Sequence, residues 1–229
     1  MLNSTNLIGL ASADSSGPIY MSDDVYVGVF GGPGTTTVNL PAGTRSVVFT
    51  TAPTSKANMN VTSITLGGVA ATMLAQTHQT QEYYKGTGVW AVNYAGSGPT
   101  TMSFTCGSGA VIMVFALKRQ FVTVGADDSG IDVGCGNVVF QAYMDTYKDG
   151  LAVCAWRSFA GGASIGSPFT SFYAQHTSWN HGPLVSAITV PTTTEYNKLI
   201  QAYTQGDFNY NCDDGATMTV VSFKADRFI

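Results

Sequence analysis

The sequence predicts an all-β fold, an antiparallel β-sandwich or jelly roll with at most one short helix near residues 194–204. Three observations carry this expectation. Apolar, β-rich runs recur between clusters of Gly, Pro, Ser and Asn along the whole chain, many of them at about 8–12 residue spacing, the mark of a sandwich or barrel. Thr101–Cys106 alternates apolar and polar side chains with period two, as a strand with one solvated face does. Charged helix formers are scarce, with two Glu, six Lys and four Arg in 229 residues.

The elements follow in order. Val25–Phe30 reads as a strand ending at the breaker Gly31-Gly32-Pro33-Gly34. Arg45–Thr50 is a strand after the turn Pro41-Ala42-Gly43. Val61–Leu66 and Val69–Gln76 flank Gly67-Gly68 and predict a hairpin with a primed turn. Gly88–Tyr94 places Trp90, Val92 and Tyr94 on one face, and the turn Gly96-Ser97-Gly98-Pro99 follows. In Thr101–Cys106, Met102, Phe104 and Cys106 face inward. Ala110–Leu117 is apolar at every position and predicts a central strand covered on both faces. Val138–Tyr143, Leu151–Phe159, Phe169–Gln175, Leu184–Val190 and Met218–Phe223 continue the series. The exception is Thr192-x-x-Glu195, which has the form of a capping box. Tyr196, Leu199, Ile200 and Tyr203 behind it have helical spacing, so a short helix is expected there in preference to a strand over Lys198–Thr204.

Composition bounds the function. The chain is 45% hydrophobic, as globular proteins are, but only 10% charged, where about 25% is usual. Much of its surface is therefore expected to be neutral and suited to touching other protein. The net charge is −4 and Lys118-Arg119 is the longest basic cluster, so the footprint required for nucleic acid is lacking. No run approaches ~20 apolar residues, so no membrane-spanning helix is expected. Ala11-Ser12-Ala13 has the form of a signal cleavage site, but neither a basic region nor a long apolar stretch precedes it, and no secretion signal is read. The cysteines, Cys106, Cys135, Cys154 and Cys212, form no C-x-x-C pair, and Cys106 and Cys154 sit in apolar strand runs, which predicts buried free thiols. The expected organisation is an N-terminal arm, residues 1–18, and one sandwich domain over 19–229.

Chemical motifs are few. Gly162-Ala163-Ser164-Ile165-Gly166 matches the serine-elbow pattern, but no helix follows, and no Asp or Glu lies between Ser164 and the last histidine, His181. A Gly-rich loop is the better reading. Gly86-Thr87-Gly88-Val89-Trp90-Ala91 fits a loose dinucleotide fingerprint but opens a strand instead of a helix. Asp127-Asp128-Ser129-Gly130-Ile131-Asp132 and Asp213-Asp214-Gly215 offer clustered oxygens for calcium, though acidic turns commonly bond their own backbone instead. His176 and His181 bracket a loop that contains Trp179 and Asn180. That spacing is loose for a metal, whereas an exposed aromatic with amide neighbours suits a sugar or partner contact. No catalytic residue, metal ligand or cofactor is assigned. The possible ligand-binding set is His176, Trp179, Asn180 and His181, with Tyr83, Tyr84, Phe208 and Tyr210 as further surface aromatics.

The stretch VTSITLGGVAATMLAQ (Val61–Gln76), followed by YYKGTGVWAVNYAGSGPTTMSFTCGSGAVIMVFALK (Tyr83–Lys118), resembles β-sandwich modules of tailed-bacteriophage structural proteins. In these, a strand leads through Gly-Gly to its partner, and then come a W-x-V/L-x-Y strand, a Gly/Pro turn and a T-x-S/T-x-T strand. Here the last element occurs once, as Thr-Met-Ser-Phe-Thr. GNVVFQAYMDTYKDGLAVCAWRSFAGG (Gly136–Gly162) and ATMTVVSFKA (Ala216–Ala225) resemble the later strands. The resemblance implies a non-enzymatic virion part assembled in the host cytoplasm, most directly a capsid decoration or cement protein working as a homo-oligomer. Its partners would be the major capsid protein or tail subunits, with no nucleic acid or membrane bound. The alternative is a carbohydrate- or receptor-binding module of a tail, fibre or adhesin. For the first role, Asn6, Leu7, Ile8 and Leu10 in the polar, Gly/Ser-rich arm are the expected partner contacts.

Overall fold

The computed structural model describes residues 20–30, 34–53, 61–77, 86–107, 110–135, 139–157, 163–169, 173–175, 184–204 and 215–229. These form β1 (Tyr20–Phe30), β2 (Gly34–Pro53), β3 (Ser63–Leu66), β4 (Val69–Ala70), β5 (Thr72–Gln76), β6 (Gly88–Thr105), β7 (Ala110–Leu117) and β8 (Asp128–Cys135). The series continues with β9 (Val139–Thr146), β10 (Leu151–Arg157), β11 (Ala163–Ile165), β12 (Tyr173–Gln175), β13 (Leu184–Thr189), β14 (Glu195–Thr204) and β15 (Gly215–Phe223). The pairings are antiparallel. Three sheets result. The first runs β1-β7-β2-β6-β3-β4 with β5 also on β6, the second β12-β13-β10-β15-β8, and the third β11-β14-β9. The all-β sandwich expected from the sequence is the fold observed.

Alternation of side chains explains how the sheets stack. Every residue of β7 is buried. Val111, Met113, Phe115 and Leu117 enter the core shared with the second sheet, while Ala110, Ile112 and Val114 enter a core on the other side. A strand covered on both faces has no need of polar positions, which is why it reads as one apolar run. β10 repeats the arrangement. Leu151, Val153 and Ala155 face the first sheet, and Ala152, Cys154 and Trp156 face the third, against Phe140, Ala142, Met144, Ile200 and Ala202. Fully burying a Val, Leu, Ile, Phe or Met side chain in these cores contributes about 1.5–3 kcal/mol each. Phe121, Phe223 and Phe228 close one end of the first core, with ring centroids 4.7–5.9 Å apart. The Asn93 amide anchors Phe121 there by bonding both its N–H and its carbonyl, at 2.9 and 2.7 Å.

Two predicted turns behave differently from expectation. Pro41-Ala42-Gly43 and Gly96-Ser97-Gly98-Pro99 do not reverse the chain. They lie opposite one another inside the long β2–β6 ladder, where the register shifts between Leu40 and Ser46. Gly43 and Gly98 supply the positive φ values, 86° and 75°, that this irregularity requires. The bulge lets the ribbon curl, so Val38, Leu40, Met102 and Phe104 from one half share a core with Val47, Phe49, Trp90 and Val92 from the other. The Gly67-Gly68 hairpin forms with a shorter second arm than expected, since only Val69–Ala70 pairs back on β3 while Thr72–Gln76 pairs with β6. Both glycines have positive φ, 55° and 82°, and β3 pairs with β4 across them.

Three further expectations are corrected. Residues 194–204 are not helical, because β14 is a strand paired with β9. Packing decides the matter: Ile200 and Ala202 cover the Phe140–Met144 surface of β9, and tertiary burial outweighs local spacing. Glu195 caps nothing and instead binds Lys198 Nζ at 2.6 Å. Ala163–Ile165, read as part of a Gly-rich loop, is strand β11 on the edge of β14. The acidic segment read as a turn, Asp128–Asp132, begins strand β8.

Gly150 has no room for a side chain. A Cβ there would overlap the Phe223 carbonyl oxygen and lie 2.9 Å from that of Tyr147. Gly150→Ala is expected to destabilise the protein by about 1–3 kcal/mol in urea unfolding, through forced backbone displacement. Gly68→Ala meets no atom within 4 Å, so only its positive φ opposes it, at a cost of about 1 kcal/mol.

Candidate functional site

The second and third sheets are joined by carboxylates. On β8 the alternation puts Asp128, Gly130 and Asp132 toward β9, with Ile131 outward and exposed. Asp128 Oδ2 accepts the Asp145 N–H at 2.6 Å, and Asp132 Oδ2 accepts the Gln141 N–H at 2.7 Å. Between them, a Cβ on Gly130 would overlap the Tyr143 carbonyl oxygen. Only glycine lets the two strands approach this closely. Asp145 passes the pattern on, its Oδ1 accepting the Asn197 N–H at 2.8 Å. That bond holds Asn197 at φ 51°, at the bulge in β14.

Asp127 performs a similar task at the 3-10 turn Ala225–Arg227. Its carboxylate accepts the Lys224 N–H at 2.7 Å and the Arg227 guanidinium at 2.8–3.1 Å. That bonding raises the Arg227 pKa above its ordinary value. An open groove of about 310 Å3 beside it is lined by Val122, Thr123, Asp127, Lys224, Asp226 and Arg227. The carboxylates that made Asp127–Asp132 a calcium candidate thus hold protein N–H groups. Among the described residues no group of three or more His, Cys, Asp or Glu is placed to hold a metal ion.

Between the first and second sheets the apolar core gives way to hydroxyls. Thr50 bonds Ser186, and Thr87 bonds Thr219 at 2.9 Å, each pair bridging the two sheets. Arg157, 3% exposed, belongs to the same face of β10 as Val153 and Ala155, and burial lowers its pKa to about 10. Cys106 and Cys154 are buried, as expected, and burial pushes the Cys154 thiol well up. A thiol so placed is inert.

The exposed chemistry lies on the outer face of the third sheet. Directly opposed residues of an antiparallel pair share a face. Val139 opposes Tyr203, Gln141 opposes Gln201, and Tyr143 opposes Leu199. Tyr143 is 51% exposed and Tyr203 38%, while Tyr196 at the bulge is 75% exposed. Tyr203 Oη donates to Gln201 Oε1 at 2.8 Å. None of the six facing positions is charged.

Comparison with protein-family models, with curated proteins and with solved structures finds no match.

The residues singled out from sequence, Asn6, Leu7, Ile8, Leu10, His176, Trp179, Asn180 and His181, lie outside the described residues, as do Tyr83, Tyr84, Phe208 and Tyr210. The face of β9 and β14 escaped the sequence reading. Its signal is the tripeptide Gln-Ala-Tyr, which stands at 141–143 and again at 201–203.

Asp132→Ala removes the protein acceptor of the Gln141 N–H and is expected to lower stability by about 0.5–1.5 kcal/mol in urea unfolding. Asp132→Asn keeps an acceptor oxygen and should lose less than half as much. Equal losses would show that the carboxylate does not hold the strands together.

Proposed function

We propose that this chain is a structural virion protein, most directly a decoration or cement protein of a tailed-phage capsid. It would be assembled in the host cytoplasm and work as a homo-oligomer against the major capsid protein or tail subunits. The observation that carries this reading is where the charges go. In a chain with only 10% charged residues, Asp127, Asp128, Asp132, Asp145 and Arg227 are engaged in internal bonds. Val69, Met73, Val122, Ile131, Tyr143, Tyr196 and Tyr203 meanwhile stand on the surface. Single exposed apolar residues are ordinary. Tyr143 and Tyr203, which share a face with Val139, Gln141, Leu199 and Gln201 and no charged facing position, suit burial between subunits. A standard interface buries ~1,600 Å2, and modest contacts repeated over many copies stabilise a shell.

The exposed tyrosines of β9 and β14 favour a second reading, a carbohydrate- or receptor-binding module of a tail, fibre or adhesin.

Co-sedimentation with particles tests the first reading. The full chain is expected to sediment with capsids, and deletion of residues 1–18, which removes Asn6, Leu7, Ile8 and Leu10, to release it. A chain that stays monomeric and free of particles would overturn the virion role.

A further inference from the structure

The two Gln-Ala-Tyr segments lie on neighbouring strands, and their register gives the outer face a local symmetry. In an antiparallel pair, a half-turn about the normal through the Gln141–Gln201 pair carries one strand onto the other. That rotation places the Tyr143 position on that of Tyr203, and the Val139 position on that of Leu199. The face therefore has a glutamine pair at its centre and tyrosines at two diagonal corners. From strand rise and strand spacing, the two tyrosine positions are about 14 Å apart. β11 adds Ser164 at the register position beside Tyr203.

We propose that this face binds an uncharged glycan chain, with Tyr143 and Tyr203 stacking on sugar rings and Gln141 and Gln201 bonding the hydroxyls between them. The inference deepens the second reading above and does not depend on particle association. A sugar ring has an apolar C–H face and a rim of hydroxyls, and the residues match both. Tyrosine offers an apolar body with a polar tip, and each glutamine amide offers donors and acceptors. The Tyr203 hydroxyl donates to Gln201 Oε1, and the NH2 of that amide remains as a donor. With no Lys or Arg among the six positions, a phosphorylated or acidic ligand would find no counter-charge on this face.

Area separates a glycan from the other occupants. Five residues on each of β9 and β14 and the three of β11 make a face of about 210 Å2, well short of the ~800 Å2 per partner of a standard interface. A second copy of this chain would not be held by such a face alone, whereas a short stretch of linear polymer covers it. A peptide added as a strand requires a free edge, and this is the flat of a sheet.

Affinity electrophoresis of the full chain in gels containing dextran, galactomannan or hydroxyethylcellulose tests the proposal. At least one polysaccharide is expected to retard the protein, and retardation should survive about 0.5 M salt because no charge pair is involved. Tyr143→Ala and Tyr203→Ala should each weaken retention about tenfold, and the double variant should abolish it, while Tyr→Phe at either position retains it. Both rings are exposed, so the melting temperature of these variants should match that of the parent. Retention that is undiminished in the double variant would overturn this site while leaving the carbohydrate-binding reading intact. The absence of retardation by all three polysaccharides would overturn both for neutral glycans. Loss of retention in salt, or a double variant altered only in self-association by sedimentation, would also overturn it.

Discussion

β7 and β10 have no solvent side, and the rest of the fold is arranged around that constraint. Each sends alternate side chains into two different cores, so each must be covered twice. For β7 the outer cover is the curled half of its own sheet, which the β2–β6 bulge makes possible. For β10 the outer cover is the third sheet, which exists to hide Cys154 and Trp156. The layering thus follows from two fully buried strands, and the smaller strands can be read as lids for their outer faces. The same reasoning places the hydroxyl pairs Thr50–Ser186 and Thr87–Thr219. Where the sheets meet without enough apolar bulk, buried oxygens must find one another.

Attaching the third sheet raises a second problem, because β8 and β9 belong to different sheets yet run side by side. Their backbones do not form a ladder. Asp128 and Asp132 reach across instead, and Gly130 admits the Tyr143 carbonyl between them. Charge-assisted bonds to backbone N–H groups are roughly twice as strong as neutral ones, which suits a joint made from so few contacts. The arrangement also commits these half-exposed carboxylates to backbone N–H groups. A chain that begins with little charge is left with neutral sheet faces, and the binding chemistry open to those faces is stacking, amide bonding and burial in place of ion pairing.

How much of this was legible in the sequence depended on whether a residue's side could be read from polarity. Ala110–Leu117 and Leu151–Trp156 were legible because burial on both faces produces an unbroken apolar run. Thr101–Cys106 was legible because one face is wet. β14 was not, because its outer face carries Leu199 and Tyr203 and a bulge at Asn197 shifts the phase, so its apolar residues fit a helical period as well as a strand. β8 was hidden for the opposite reason, since its inward positions are Asp and Gly and its exposed one is Ile131. Gly43 and Gly98 announced their positive φ but not whether the chain would turn or bulge, since that depends on what lies across the ladder. The paired Gln-Ala-Tyr segments are too short and too far apart to register as a repeat until the strands bring them together.

Native-state hydrogen exchange tests the layering most directly. If the doubly covered strands organise the fold, amides of β7, β10 and β15 should exchange only through global unfolding. Those of β9, β11 and β14, held by one core and a few carboxylate bonds, should open earlier as a unit. Protection in β9 and β14 equal to or greater than that in β7 and β10 would contradict the account.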